Sequence, residues 1–70
     1  MANTSGSFKN TLTTKIAMHL LNIGYSLKEA GGFRNMIHRK YNTVKCLEIL
    51  KELRTKKTHS EADQYLQKLL

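Results

Sequence analysis

The chain has 70 residues and a net charge of +7, from 12 Lys and Arg against five acidic residues. A chain of this length buries only about 60% of its unfolded surface, so one small domain with a thin core is expected. The single cysteine, Cys46, excludes a disulfide framework within the chain, and no Cys/His set has zinc-ligand spacing. No apolar run approaches the ~20 residues that span a bilayer, and no signal-peptide pattern opens the chain. We therefore expect an intracellular location, in the cytoplasm or the nucleoid or nucleus, with no metal and no cofactor.

The opening residues, MANTSGS, are small and polar. We expect residues 1–7 to be a disordered tail or an appended remnant, followed by a single domain over residues 8–70. The first helix is predicted because Leu12, Ile16, Leu20 and Ile23 recur at helical spacing. Gly24 is a natural C-terminal stop for this helix.

A second, short helix is predicted to open at Ser26, which has the spacing of a capping box with Glu29, and to end at the pair Gly31-Gly32. Residues 33–57 then carry two apolar stripes, about 170° apart on a helical wheel, which one straight helix cannot bury together. The first stripe contains Phe33, Met36, Ile37, Tyr41 and Val44, and the second contains Cys46, Ile49, Leu50 and Leu53. The phase changes at Asn42-Thr43, where both residues are good N-caps, so we predict two helices, 33–41 and 44–56.

The last helix is predicted to start at Thr58 or Ser60, with a capping box between Thr58 and Glu61. It is predicted to bury Ala62, Tyr65, Leu66 and Leu69. The predicted fold is all-α, a small bundle of about four short helices. Its C-terminal leucines, Leu66, Leu69 and Leu70, either close the core or form the seam of a homodimer that completes the thin core.

Basic residues concentrate in residues 33–57, which hold eight Lys and Arg against two Glu. Such a segment attracts polyanions. Nucleic acid is the first candidate, and an anionic membrane surface is the second if the chain belongs to an anchored protein. Arg34, Asn35, His38 and Arg39 share one side of helix 33–41, and the short helix and glycine turn before it complete a helix-turn-helix outline. The predicted nucleic-acid-binding residues are Arg34, Asn35, His38, Arg39, Lys40, Lys45, Lys51, Arg54, Lys56 and Lys57.

The stretch RNMIHRKY, residues 34–41, resembles the RNxxxHxY signature of the HEPN-type ribonucleases of the HepT toxin family. In those enzymes an arginine and a histidine act on RNA phosphate. Seven positions separate Arg34 from Tyr41, as in the signature, but His38 stands one residue early, which turns its ring by about 100° on a helix. The resemblance implies a ribonuclease that acts through Arg34 and His38.

Three functional hypotheses follow, in order of preference. The first is a domain without enzymatic activity that binds DNA, in preference to RNA, through phosphate contacts from a basic helix face. Only 7% of residues are aromatic, which leaves few rings for stacking on single-stranded bases. The second is a helical protein–protein interaction or dimerisation module whose basic face binds an acidic partner. The third is the HEPN-like ribonuclease.

Overall fold

The computed structural model describes the backbone of residues 4–70 and the side chains of residues 8–70. These residues form four helices and no strand: α1 (Thr4–Asn22), α2 (Leu27–Lys40), α3 (Thr43–Arg54) and α4 (His59–Leu69). The predicted all-α fold is confirmed. Of the predicted tail, residues 1–3 lie outside the described residues, and α1 begins at Thr4. No helix within residues 4–70 is long and apolar enough to cross a bilayer.

The predicted end of α1 at Gly24 is confirmed. Gly24 has a φ of +111°, which side-chain-bearing residues adopt only with strain. The N–H of Tyr25 donates to the Leu20 carbonyl at 3.0 Å, and the N–H of Gly24 donates to the Leu21 carbonyl at 3.2 Å. These two bonds form a Schellman motif, which satisfies carbonyls that the helix end would leave unpaired. The chain therefore reverses tightly into α2.

The predicted capping box at the start of α2 is confirmed. Ser26 Oγ accepts from the Glu29 N–H at 3.1 Å, and the Glu29 carboxylate accepts from the Ser26 N–H at 3.0 Å. The predicted break at Gly31-Gly32 is wrong, because α2 continues through both glycines to Lys40. Glycine costs a helix about 1 kcal/mol relative to alanine. Ala30 and Ile37, which are 1% and 0% exposed, anchor α2 to the core on both sides of the pair. Tertiary packing outweighs the local propensity, so the turn predicted there does not form.

The predicted boundary at Asn42-Thr43 is confirmed. α2 ends at Lys40, Tyr41 is extended, and the Asn42 side chain accepts from the Lys45 N–H at 2.9 Å as the N-cap of α3. The second apolar stripe, including Cys46 as a small core residue, is buried throughout. Of the first stripe, Ile37 is buried but Val44 is 67% exposed, because it lies in the first turn of α3 on the side away from the core.

α4 begins at His59, with Thr58 as its N-cap. Thr58 Oγ1 accepts from the Glu61 N–H at 3.2 Å, but the Glu61 carboxylate accepts from the Lys57 N–H at 3.0 Å. Only half of the predicted capping box therefore forms. Leu66 and Leu69 are buried and close the core, whereas Leu70 is 63% exposed.

Contacts between helices fix their directions. His19 Nε2, near the end of α1, lies 3.0 Å from the Lys56 carbonyl just after α3, so α1 and α3 point the same way. The Tyr25 hydroxyl, just before α2, donates to Asp63 Oδ1 at 3.3 Å, and the Tyr41 hydroxyl, just after α2, donates to the Leu69 carbonyl at 2.8 Å. α2 and α4 are therefore parallel to each other, and both run opposite to α1 and α3. α1 packs along both α2 and α3. α1 and α4 thus occupy opposite sides of the bundle, and α2 and α3 each have one edge toward α1 and one toward α4.

Candidate nucleic-acid interface

The edge of α3 that faces α4 is electrically neutral. Lys45 Nζ lies 3.6 Å from Glu48 Oε1, and Lys56 Nζ, just beyond the helix, lies 3.0 Å from Glu52 Oε2. Lys56 Nζ also lies 5.8 Å from the centre of the Tyr65 ring, so this ion pair lies against α4. Burial, followed by the charges of Glu52, Tyr41 and Glu48, raises the pKa of Tyr65. Two of the predicted binding residues, Lys45 and Lys56, are therefore paired on this edge.

The opposite edge of α3 carries cations alone. Arg54 lies about 80° around the helix from the buried Cys46, on the edge toward α1. Lys51 lies at about 140°, on the outer surface of α3 next to that edge. Both are exposed, and no carboxylate of the described residues pairs with them. Arg54 meets α1 in a pocket of about 290 Å³ that is lined by Lys15, Met18, His19, Asn22 and Arg54. Two cations and an amide, with no carboxylate in the lining, give this pocket the chemistry of a phosphate site.

Lys15 was missed in the sequence-based prediction, which took its residues only from the dense run 33–57. The signal that would have found Lys15 is the absence of any acidic residue from α1. A helix without carboxylates contributes only positive charge to its exposed side, however few lysines it has.

The edge of α2 toward α1 holds Arg34 and, one turn later, His38. Arg34 Nη1 donates to Asn35 Oδ1 at 3.1 Å and Nη2 donates to Asn10 Oδ1 of α1 at 3.4 Å. Both partners are neutral amides, so neither of them offsets the positive charge of the guanidinium. His38 Nε2 is buried without a hydrogen-bond partner among the described residues. Asn35 and the exposed Arg39 lie further out on α2.

Lys40 and Tyr41 tie the end of α2 to the end of α4. Lys40 Nζ donates to the carbonyls of Leu69 and Leu70 at 2.8 and 2.7 Å, and it lies 5.6 Å from the centre of the Tyr41 ring. The Tyr41 hydroxyl also donates to the Leu69 carbonyl. The cation therefore neutralises the negative end of the α4 dipole and faces away from α1.

All five carboxylates lie on the α4 side of the bundle. Glu29 and Asp63 line the same groove between α2 and α4, Glu48 and Glu52 face Tyr65, and Glu61 belongs to α4 itself. The side formed by α1 and the adjoining edges of α2 and α3 carries cations without carboxylates. We call this side the α1 face, with Lys9, Lys15, Arg34, Lys51 and Arg54 as its cations.

The α1 face carries three of the predicted cations, Arg34, Lys51 and Arg54, and His38 lies one helical turn after Arg34. Arg39 and Asn35 lie on the outer side of α2, and Lys57 lies in the α3–α4 loop. Lys40, Lys45 and Lys56 have partners on the α4 side. Within the described residues, no group of three or more His, Cys, Asp or Glu side chains could hold a metal ion.

No protein-family model, curated protein or solved structure matches the chain.

Proposed function

We propose that the chain binds nucleic acid, duplex DNA in preference to RNA, through phosphate contacts from the α1 face. The observation that carries this proposal is the segregation of charge: the side-chain carboxylates lie on the α4 side, and the α1 face holds five cations with no carboxylate partner among the described residues. A net charge of +7 attracts polyanions from every direction. The segregation adds a preferred side of approach.

The Lys15–Arg54 pocket is the best-formed phosphate site on this face. A phosphate seated there would meet a lysine and an arginine that come from two helices packed against each other. Phosphate contacts position a protein on a duplex without reading its sequence. Four such contacts would give a slope of log affinity against log salt of about −3.6.

The helix-turn-helix outline was predicted across Gly31-Gly32, but these glycines lie inside the continuous helix α2. The pair of helices that follows, α2 and α3, is joined by Tyr41 and Asn42. We propose backbone contacts rather than a groove-reading helix for this pair, because the cations of the α1 face are distributed over three helices. A single recognition helix would collect them on one.

A homodimer remains a proposal on narrower grounds. Of the three C-terminal leucines, only Leu70 is exposed, so the remaining motivation is the small core of a 70-residue chain. Sedimentation that shows a monomer at high protein concentration would remove it.

We also propose an intracellular setting, the cytoplasm or the nucleoid or nucleus, where nucleic acid is available. The free Cys46 supports this, since it has no disulfide partner in the chain and burial raises the pKa of its thiol. A buried neutral thiol suits a reducing compartment.

Two double variants with the same change in net charge test the proposed face. Lys51→Gln with Arg54→Gln removes two cations from the α1 face, whereas Lys45→Gln with Lys56→Gln removes two paired cations from the α4 side. Fluorescence anisotropy with a short random-sequence duplex, over a salt series, measures both affinity and slope. We expect the first variant to flatten the slope by about two units and the second to change it by less than one.

Equal losses in the two variants would show that only net charge matters and would contradict a defined face. Polyglutamate provides a second control. If it binds as tightly as the duplex at equal charge, the α1 face is a site for acidic proteins and the nucleic-acid proposal is wrong.

A further inference from the structure

The side-by-side packing of α2 and α4 leaves an open groove of about 460 Å³ on the side away from α1. One end is lined by Tyr25, Glu29, His59 and Asp63, and the other end by Met36 and Leu70. The groove therefore has an acidic end and an apolar end.

Three rings at the acidic end hold one another in place. Tyr25 is only 5% exposed, and its hydroxyl donates to Asp63 Oδ1 at 3.3 Å. Phe33 meets Tyr25 edge-on, with ring centres 5.6 Å apart and an interplanar angle of 85°. His59 stacks on Tyr25 at 4.0 Å and 24°. The stack covers one face of Tyr25, so Phe33 is the ring that borders the open groove near the carboxylates. An aromatic surface near carboxylates can stabilise an organic cation.

The charge of the groove is opposite to that of the chain. Its lining residues include two carboxylates and no Lys or Arg, in a chain with a net charge of +7. Glu29 accepts one backbone bond through Oε1, and Asp63 accepts the Tyr25 hydroxyl through Oδ1. Each carboxylate keeps a second oxygen that can accept from an ammonium or guanidinium group.

Gly32 keeps the middle of the groove open. It lies inside α2 without a positive φ, and a Cβ built there would meet nothing within 4 Å. Neither the backbone nor close packing requires glycine at this position, although glycine weakens the helix. Because Gly32 lines the groove, any side chain there would take up part of its volume.

We infer that the groove binds a small organic cation, with its ammonium or guanidinium group between Glu29 and Asp63 and its apolar body along Phe33 toward Met36. The volume lies in the range of about 300–1,000 Å³ that is usual for small-molecule sites. Nine residues line it, fewer than the ~20–30 that each side of a stable protein interface contributes. The site lies opposite the α1 face and takes a ligand of the opposite charge, so it is independent of nucleic-acid binding.

Titration of the ¹⁵N-labelled protein with phenylbutylammonium, followed by amide NMR, tests the inference. We expect saturable shifts confined to the residues around the groove. Phenylbutanoate, which has the same apolar body and the opposite charge, should bind more weakly by about tenfold. Equal affinity of the two probes, or shifts centred elsewhere, would overturn the inference.

Two kinds of variant separate the charge of the groove from its shape. Glu29→Gln and Asp63→Asn remove charge but keep the hydrogen-bond acceptors, so they should weaken the ammonium probe severalfold and leave neutral phenylbutanol unchanged. Gly32→Leu should fill the groove and weaken all three probes without lowering the melting temperature. Gly31→Ala, on the same helix but outside the groove lining, should leave binding unchanged.

A lysine-containing peptide is the remaining comparison. If it binds more than about tenfold tighter than the free amine, with shifts extending beyond the groove, the occupant is a protein segment and the small-molecule assignment is wrong. Binding of phenylbutylammonium by Gly32→Leu as tight as by the unchanged protein would contradict the position assigned to the ligand.

Discussion

Replacing Gly31 and Gly32 with alanine should stabilise the protein. Both residues lie within α2, neither has a positive φ, and a Cβ at either position would meet nothing within 4 Å. Glycine in a helix interior is less favourable than alanine by about 0.5–1 kcal/mol, partly because it has more freedom when unfolded. A Cβ at either position meets nothing within 4 Å, so the two gains in helix propensity should sum to about 1–2 kcal/mol.

Thermal unfolding followed by circular dichroism measures this gain. In a domain of this size, about 1 kcal/mol shifts the melting temperature by roughly 4–8 °C, so the double variant should melt about 5–15 °C higher. Gly24→Ala is the matched control. Its φ of +111° is strained for alanine, and we expect a loss of about 1–2 kcal/mol.

The same measurement distinguishes a continuous α2 from two helices joined by a glycine turn. If the pair formed a turn, alanine would be strained there, as it is at position 24. A fall in melting temperature for Gly31→Ala or Gly32→Ala would therefore refute the continuous helix and restore the turn.

Three further predictions concern the core and its edges. Leu50→Ala and Leu53→Ala should each cost about 2–4 kcal/mol in urea unfolding, because both side chains are almost fully buried; a variant as stable as the parent would contradict the packing of α3. Thr13→Val should change stability by less than about 1 kcal/mol, since the hydrogen-bond partners of the buried hydroxyl, within the part of the chain that the structure describes, are carbonyls of its own helix. A larger loss in the same assay would reveal another partner. Burial and the nearby Asp63 raise the pKa of Tyr25 to about 12, from an ordinary 10.0. The folded state thus holds the Tyr25 proton more tightly than the unfolded state does. This difference stabilises the fold fully below pH 10, and the contribution is lost as the pH rises to about 12. In Tyr25→Phe, the free energy of unfolding should no longer show this loss between pH 10 and about 12.

The parts of the fold that were predictable from sequence depend on short-range chemistry. The Ser26 capping box, the Gly24 stop and the Asn42 cap each involve residues within five positions, so their spacing alone identifies them. The glycine pair in α2 misled the prediction because its local cost is smaller than the burial of Ala30 and Ile37 around it.

The candidate sites were less predictable because they join residues far apart in sequence. Tyr25 and Asp63 are 38 positions apart, and Lys15 meets Arg54 only because α1 packs on α3. The division of cations between paired and unpaired sets depends on which edge of a helix faces which neighbour. That information appears only once the four helices are assembled.

The placement of all five carboxylates on one side of the bundle gives the molecule an electric dipole in addition to its net charge. In the field of an extended polyanion, a dipole experiences a torque. The molecule therefore turns its α1 face toward the polyanion before the two make contact. Encounters are then pre-aligned, and a larger fraction of collisions is productive than for a sphere of equal charge. If the chain binds nucleic acid as proposed, we expect this arrangement of charge to raise the association rate constant, and added salt to lower it by screening the torque as well as the attraction.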